Sequence, residues 1–311
     1  MAISGRPGGP DGVGIVDKAA GFTSHDVVAR ARRLLGTRRV GHAGTLDPDA
    51  TGVLVLGVGR ATRLLRYVTA LPKSYQGEVV LGVATTTLDA SGEVVATYDM
   101  AGVTLEAARE AAAGLVGDVE QVPPMVSAVR VGGRRLHELA RQGIEVERAA
   151  RPVTVHRFEV LAPVPTAPTP HGPRAPVLRV EVDCSSGTYV RCLAADLGRA
   201  LGGGAHLRNL RRTAVGSFTI SRARPLDDLQ LLPPADAVAH LASVPVDGEV
   251  AALVANGTRL ARRGERVEFA GEGPWALTSA TSGELLAVYE ARKERACPAV
   301  VLVQPGDVDH G

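Results

Sequence analysis

The stretch Gly41-His42-Ala43-Gly44-Thr45-Leu46-Asp47-Pro48-Asp49-Ala50-Thr51-Gly52-Val53-Leu54 sets three glycines around one histidine and two aspartates. The glycines imply a tightly turning backbone, and Pro48 holds Asp47 extended rather than helical. A fixed carboxylate beside a histidine is a candidate site. On spacing alone, an Asx-type turn in which Asp47 or Asp49 accepts from nearby backbone amides accounts for the same residues. The segment from Asp47 to Gly52 opens like an EF-hand calcium loop, but its twelfth position is Val58 instead of a bidentate glutamate, and residues 51–56 read as an apolar strand.

Upstream of this loop, residues 13–16 read as a short strand, and Ser24 reads as the N-cap of an amphipathic helix reaching Leu35. Downstream, Gly57-Val58-Gly59-Arg60-Ala61-Thr62 starts like a dinucleotide-binding turn but has Thr62 where the last glycine belongs, which leaves a strand-to-helix turn. Helices are then expected over 60–70, 105–116, 135–142 and 189–201, and strands over 74–83, 153–161 and 177–184, with a proline-rich loop over 163–176. After an alanine-rich helix over 235–241 and a break at 244–248, short strands are expected at 267–269, 276–278, 285–289 and 299–303. This predicts a Gly/Pro-rich leader over 1–12, a main domain over 13–241 and a small β-rich module over 242–311. Strands and helices mixed without strict alternation argue for α/β or α+β rather than a doubly wound parallel sheet.

At 311 residues, with 45% hydrophobic and 22% charged positions, the composition is that of a soluble globular protein. No apolar run reaches the roughly 18 to 20 residues of a membrane span, and the leader has no apolar signal region, so a cytoplasmic protein is expected. Cys184, Cys192 and Cys297 form no C-x-x-C pair and leave one over in any disulfide scheme, which fits a reducing compartment and weakens metal and redox readings. Signatures of P-loop nucleotide hydrolysis, HExxH zinc proteolysis and zinc deamination are missing from the sequence. Net charge is only +2, yet arginines concentrate in two places. One holds Arg130, Arg134, Arg135, Arg141, Arg148 and Arg151 against Glu138, Glu145 and Glu147; the other holds Arg208, Arg211 and Arg212. Arginine's planar fork suits phosphate, although charge runs are also ordinary solvated faces.

The motif G-H-A-G-T-L-D-P-D-A-T-G-V-L resembles the signature of the TruB family of tRNA pseudouridine-55 synthases. Further segments match the family in the same order: Asp17-Lys18 with Gly21-Phe22-Thr23-Ser24, Lys73-Ser74-Tyr75, Pro123-Pro124 with Ser127-Ala128, Arg141-Gln142-Gly143, Arg151-Pro152, Cys184 through Arg191, and Gly204 through Leu207 with Leu210-Arg211-Arg212. Together they span Asp17 to Arg212. Two departures stand out: Ala19 where the family usually has proline, and Val126 where it usually has an aromatic.

The resemblance implies a pseudouridine-synthase fold, a mixed, largely antiparallel sheet flanked by helices, with a PUA-like RNA-binding module in the tail. It implies isomerisation of uridine in the T arm of tRNA with no cofactor or metal and no obligatory protein partner; a monomer is the default. By resemblance Asp47 is the essential aspartate, which either attacks C1′ or removes a proton from C2′, and Arg191 is the arginine that pairs with it. Tyr75 matches the tyrosine that stacks on the target base and is assigned a part in the final loss of the C5 proton, Tyr189 and Leu210 match residues lining the uracil pocket, and Lys18 matches a lysine that supports the loop carrying Asp47. His42 matches the histidine that fills the gap left by the extruded base. Residues 124–152, with Arg130, Arg134, Arg135, Arg141 and Arg151, align with the family's RNA-gripping thumb, and Arg208, Arg211 and Arg212 add a second basic patch. A rival reading is a tRNA-folding helper that grips and re-forms the elbow without catalysis. A guide-RNA-dependent relative is disfavoured because no segment suggests docking of partner proteins.

Overall fold

The computed structural model describes residues 9–127, 129–140, 142–164, 176–264 and 267–304. In chain order the elements are β1 (Gly12–Lys18), α1 (Ser24–Leu34), β2 (Val40–His42), β3 (Thr51–Val58), α2 (Leu65–Ala70), β4 (Lys73–Leu81), β5 (Val83–Thr85), β6 (Val94–Thr97), α3 (Leu105–Ala113), β7 (Gly117–Gln121), β8 (Arg130–Val131), β9 (Arg134–Arg135), α4 (Leu136–Ala140), β10 (Arg151–Val164), β11 (Val177–Cys184), α5 (Val190–Ala200), β12 (Ala205–Val215), β13 (Phe218–Thr219), β14 (Leu231–Leu232), β15 (Ala242–Val246), α6 (Gly248–Ala255), β16 (Leu260–Ala261), β17 (Trp275–Ser279), β18 (Leu285–Arg292) and β19 (Arg295–Val301).

Among the described residues the large sheet runs β14-β1-β3-β12-β4-β11-β10-β7, with β2 added against β3 and β13 against β12. β3 and β12 run parallel, and the other neighbours are antiparallel. The sheet is therefore mixed and largely antiparallel, as the resemblance implied. β3 is buried almost from end to end, which is why its sequence is a continuous apolar run rather than an alternating one. α3 and α5 cover one face of the sheet, where Ala108, Ala112, Leu193 and Leu197 pack with Val79, Leu81, Val180 and Val182.

α1 turns Ser24, Val27, Val28 and Ala31 inward at helical spacing onto Val16, Leu54 and Leu56. Its N-cap is Thr23, not Ser24 as expected. Thr23 and Asp26 form a reciprocal capping box, which leaves Ser24 as the first helical residue with its hydroxyl facing the interior. The expected helix over 60–70 is split into a 3-10 turn, Gly59–Leu64, and α2. There the Thr62 hydroxyl donates to the Gly59 carbonyl at 2.7 Å and Asp11 accepts from the Arg60 amide at 2.5 Å, tightening the turn. The alanine-rich stretch is likewise a 3-10 turn, Pro234–Val238.

A five-stranded sheet, β15-β17-β18-β19-β16, follows. Asp247 caps α6, accepting from the Val250 amide at 2.8 Å, and α6 packs with Trp275, Tyr289 and Phe269 on one side of this sheet. Its other side joins the core of the large sheet: Ala276, Leu285, Val288, Val300 and Leu302 are buried with Val55, Leu64, Val68 and Phe218. Arg66 pairs with Glu290 at 2.7 Å across the same boundary. Among the described residues, no helix is long and apolar enough to cross a membrane.

Candidate active site

The loop between β2 and β3 carries Asp47, and the backbone demanded by its glycines is present. Gly44 and Gly52 sit at φ +94° and +99°, and a Cβ on Gly52 would stand 2.1 Å from the Arg212 carbonyl oxygen of β12. A side chain at 52 would therefore separate β3 from β12. Three groups fix the loop from below. Lys18 Nζ, on a residue 1% exposed, donates to the carbonyls of Ala19, Phe22 and Pro48 at 3.0, 2.7 and 2.9 Å. Ser24 Oγ accepts from the Leu46 amide at 2.9 Å and donates to the Leu46 carbonyl at 3.3 Å. Arg212 donates to the carbonyls of Val53, Thr45 and Gly44 at 2.7, 3.4 and 3.1 Å.

The Asp47 carboxylate meets Arg191 in the first turn of α5. Arg191 Nε and Nη2 lie 3.1 and 3.4 Å from the two carboxylate oxygens, and its side chain is 5% exposed against 40% for Asp47. The guanidinium is held in turn by Asp89 at 3.3 Å and by the carbonyls of Thr87 and Val126 at 3.0 and 2.8 Å. Loss of water around Asp47 pushes its carboxyl above the usual carboxylate value; Arg191 opposes that shift and the nearby Asp89 adds to it.

Asp47, Tyr75, Tyr189, Arg191, Leu210 and Arg212 come together around one cleft of about 430 Å³. Tyr75 stands on β4 opposite Arg212 of β12, and burial pushes its phenol up despite that arginine. Tyr189 caps α5 at the cleft wall; its backbone is clamped by Gln121, which accepts from its amide at 2.7 Å and donates to its carbonyl at 3.2 Å. Leu210 follows a bulge at Asn209, φ +52°, where the register of β12 shifts against β4. A second hollow of about 490 Å³, bordered by Asp89, Ser91 and Arg208, shares Asp47, Arg191 and Leu210 with the cleft.

Other expected residues are placed differently. His42, at the end of β2, is outside the lining of the cleft and meets His25 edge-on at 5.5 Å. Burial pulls its imidazole below the ordinary histidine value. Arg212 is 1% exposed with its guanidinium donating to backbone carbonyls, so it braces the Asp47 loop; its assignment to an open basic patch is corrected. Arg208 is paired with Glu78 and Arg211 with Asp17, at 2.7 and 2.8 Å. Arg130, Arg134 and Arg135 share the β8–β9 hairpin, where Arg134 is exposed and donates to Gln142 at 2.6 Å; Arg151 is exposed at the start of β10. Arg141 lies outside the described residues. Asp89 and Gln121 lie outside every motif the sequence offers, and Ser24, although it closes the Gly21–Ser24 segment, is expected there only as a helix cap; each reaches the site through a tertiary contact. Among the described residues, no cluster of three or more His, Cys, Asp or Glu side chains could hold a metal ion.

The sequence model of the TruB family pseudouridylate synthase N-terminal domain matches residues 32–190, and that of the tRNA pseudouridylate synthase B C-terminal domain matches residues 191–237. The chain belongs to the TruB family. Among its TruB relatives, the tRNA pseudouridine synthase B of Rhodococcus jostii is 50% identical over 301 residues, covering 94% of each chain. That of Streptomyces coelicolor is 49% identical over 294 residues, covering 92% of this chain and 95% of its own. A chain of a solved Cbf5-Nop10-Gar1 complex superposes with a TM-score of 0.70 at 24% identity, over 95% of this chain and 86% of that one. A chain of an H/ACA RNP bound to a substrate RNA containing 2′-deoxyuridine gives 0.68 at 23%, over 96% and 87%. At such identities the likeness speaks to the fold. In this TruB chain the first family match contains Asp47, Tyr75 and Tyr189, and the second contains Arg191, Leu210 and Arg212.

Proposed function

We propose that this protein converts uridine 55 in the T arm of tRNA to pseudouridine, as a monomer in the cytoplasm, without cofactor, metal or obligatory protein partner. The observation that carries this reading is Asp47, open to a cleft that also holds Tyr75 and Tyr189, with both carboxylate oxygens on the buried Arg191. The reaction breaks the C1′–N1 bond, turns the uracil, joins C5 to C1′, releases the C5 proton to water and leaves N1 carrying a proton taken up from water, so that product and substrate are isomers. Asp47 acts either by adding to C1′ or by removing a proton from C2′, and both routes require the ionised carboxylate. Arg191 opposes the burial that favours the protonated form.

A phenol ordinarily keeps its proton at neutral pH, and burial pushes that of Tyr75 further up, which favours a stacking role over that of a base. Tyr189 and Leu210 wall the uracil. His42, pulled down by burial, is a neutral ring at neutral pH and suits filling the stack from which the base has left. Lys18 acts through the Pro48 carbonyl as a loop support. The thumb arginines Arg130, Arg134, Arg135 and Arg151, with Arg208 and Arg211, take the RNA backbone, and the five-stranded sheet acts as a PUA-like RNA-binding module.

Tritium release from tRNA labelled at C5 of uridine tests the reading, using purified protein beside Asp47→Ala and a T-arm transcript lacking the target uridine. Release should require both Asp47 and that uridine, falling at least about 10³-fold without the carboxylate. Tight tRNA binding without release would instead favour the folding helper.

A further inference from the structure

Lys73 is a buried cation that the proposed chemistry leaves unused. It opens β4 two residues before Tyr75, so both side chains leave the same face of the sheet. Cys184 of β11 stands beside Lys73, and Arg212 of β12 beside Tyr75. Lys73 is 6% exposed; its Nζ donates to the carbonyls of Thr69 and Leu71, the latter at 2.6 Å, and a third donor remains for the cleft it lines. Burial pulls the ammonium down to about 8. A lysine at this depth ordinarily has a carboxylate beside it. Among the described residues lining the cleft the one acid is Asp47, and Arg191 occupies both of its oxygens. Arg212, 1% exposed, also donates to backbone carbonyls, so among the described residues lining the cleft no further acid balances the charge of Lys73 and Arg212.

The walls beside Lys73 indicate what balances it. Thr69, Ser185, Ser186, Gly187 and Thr188 line the cleft here, with Thr69, Ser186 and Gly187 exposed at the rim. The Thr69 hydroxyl is committed to the Leu65 carbonyl and Ser185 Oγ accepts from the Thr154 amide, which leaves Ser186 and Thr188 to offer hydroxyls to phosphate oxygens, and these five residues offer no aromatic face for a base to stack on. Resting on the reading that the cleft takes a uridine of an RNA, we infer that Lys73 is the floor of a phosphate subsite. It holds a backbone phosphate adjoining the target nucleotide, with the Ser186 and Thr188 hydroxyls at its sides.

A T-arm stem-loop RNA carrying single methylphosphonate linkages, placed in turn at the phosphates flanking the target uridine, tests this by binding alone. One placement should weaken wild-type binding about tenfold, the worth of a charge-assisted hydrogen bond. Lys73→Gln keeps an amide donor for the Thr69 and Leu71 carbonyls while removing the charge. It should bind natural RNA about tenfold more weakly, with a salt slope shallower by about 0.7, and lose nothing further at that placement. Equal penalties in Lys73→Gln and wild type would overturn the subsite. A wild-type scan in which no placement matters would do so too, and it needs no variant to fold. Pseudouridine formation on unmodified RNA is followed in parallel. Wild-type protein that binds but forms none overturns the functional reading while the scan still reports on the subsite; protein that does not bind overturns both.

Discussion

Asp89 pairs with the same guanidinium as the reacting carboxylate and also lies near that carboxylate, which sets two opposing effects. Its charge helps hold the guanidinium 3.3 Å away, and it also disfavours ionisation of Asp47. The carboxyl of Asp47 lies above its ordinary value, so activity that needs the carboxylate is lost as pH falls through that raised value. Asp89→Asn removes the repulsion and should move the acid limb of kcat/KM to lower pH. Loss of one charged anchor for Arg191 should meanwhile lower the neutral-pH rate by about tenfold to a hundredfold, with the Thr87 and Val126 carbonyls still holding the guanidinium. A pH–rate profile of the variant beside wild type decides this; an acid limb that stays in place or moves upward contradicts it.

At the scale of elements, α1 does two separable jobs with adjacent residues. Thr23 caps the helix, while Ser24, 1% exposed, satisfies the Leu46 amide and carbonyl beside Asp47. Ser24→Ala leaves that amide buried without its partner, at a cost of about 1–3 kcal/mol, and loosens the catalytic loop. Turnover should fall about tenfold with KM little changed. Thr23→Ala should cost about 1 kcal/mol of stability and leave kcat near wild type. Denaturant unfolding beside steady-state kinetics checks the pair, and equal kinetic effects would mean that Ser24 has no special hold on the loop. Asp47, Tyr75 and Arg191 are legible in the sequence because each sits in a dense motif; Ser24 and Asp89 are not, because their roles arise from contacts over 22 residues and over about a hundred. β12 was read as a basic patch rather than a strand. Its arginines and the left-handed Asn209 break the alternation that marks a strand, and the burial of Arg212 exists only once β3 and β4 lie on either side of it.

For the whole molecule, the two sheets meet through a shared apolar core rather than a polar seam. Leu285 and Leu302, 4% and 5% exposed, pack in the same cluster as Leu64, Val68 and Phe218. The polar contacts at this boundary include the half-exposed Arg66–Glu290 pair, joined by the Tyr67 hydroxyl at 2.9 Å. An exposed pair of this kind contributes about 1 kcal/mol or less, whereas each buried leucine contributes about 1.5–3 kcal/mol. A chain ending at Leu241 would uncover Leu64, Val68 and Phe218 together, so any weakening of RNA binding in such a chain would reflect this exposed core as well as a lost RNA contact. Leu285→Ala should therefore lower the stability of the whole chain by about 2–5 kcal/mol, and Glu290→Gln by less than about 1 kcal/mol. If the shared core couples the sheets, denaturation followed at Trp275 in the smaller sheet and by far-ultraviolet circular dichroism should give one coincident transition in wild type, displaced as a unit in Leu285→Ala. Two separated transitions, or a truncated chain with an unchanged midpoint, would show that the sheets fold independently.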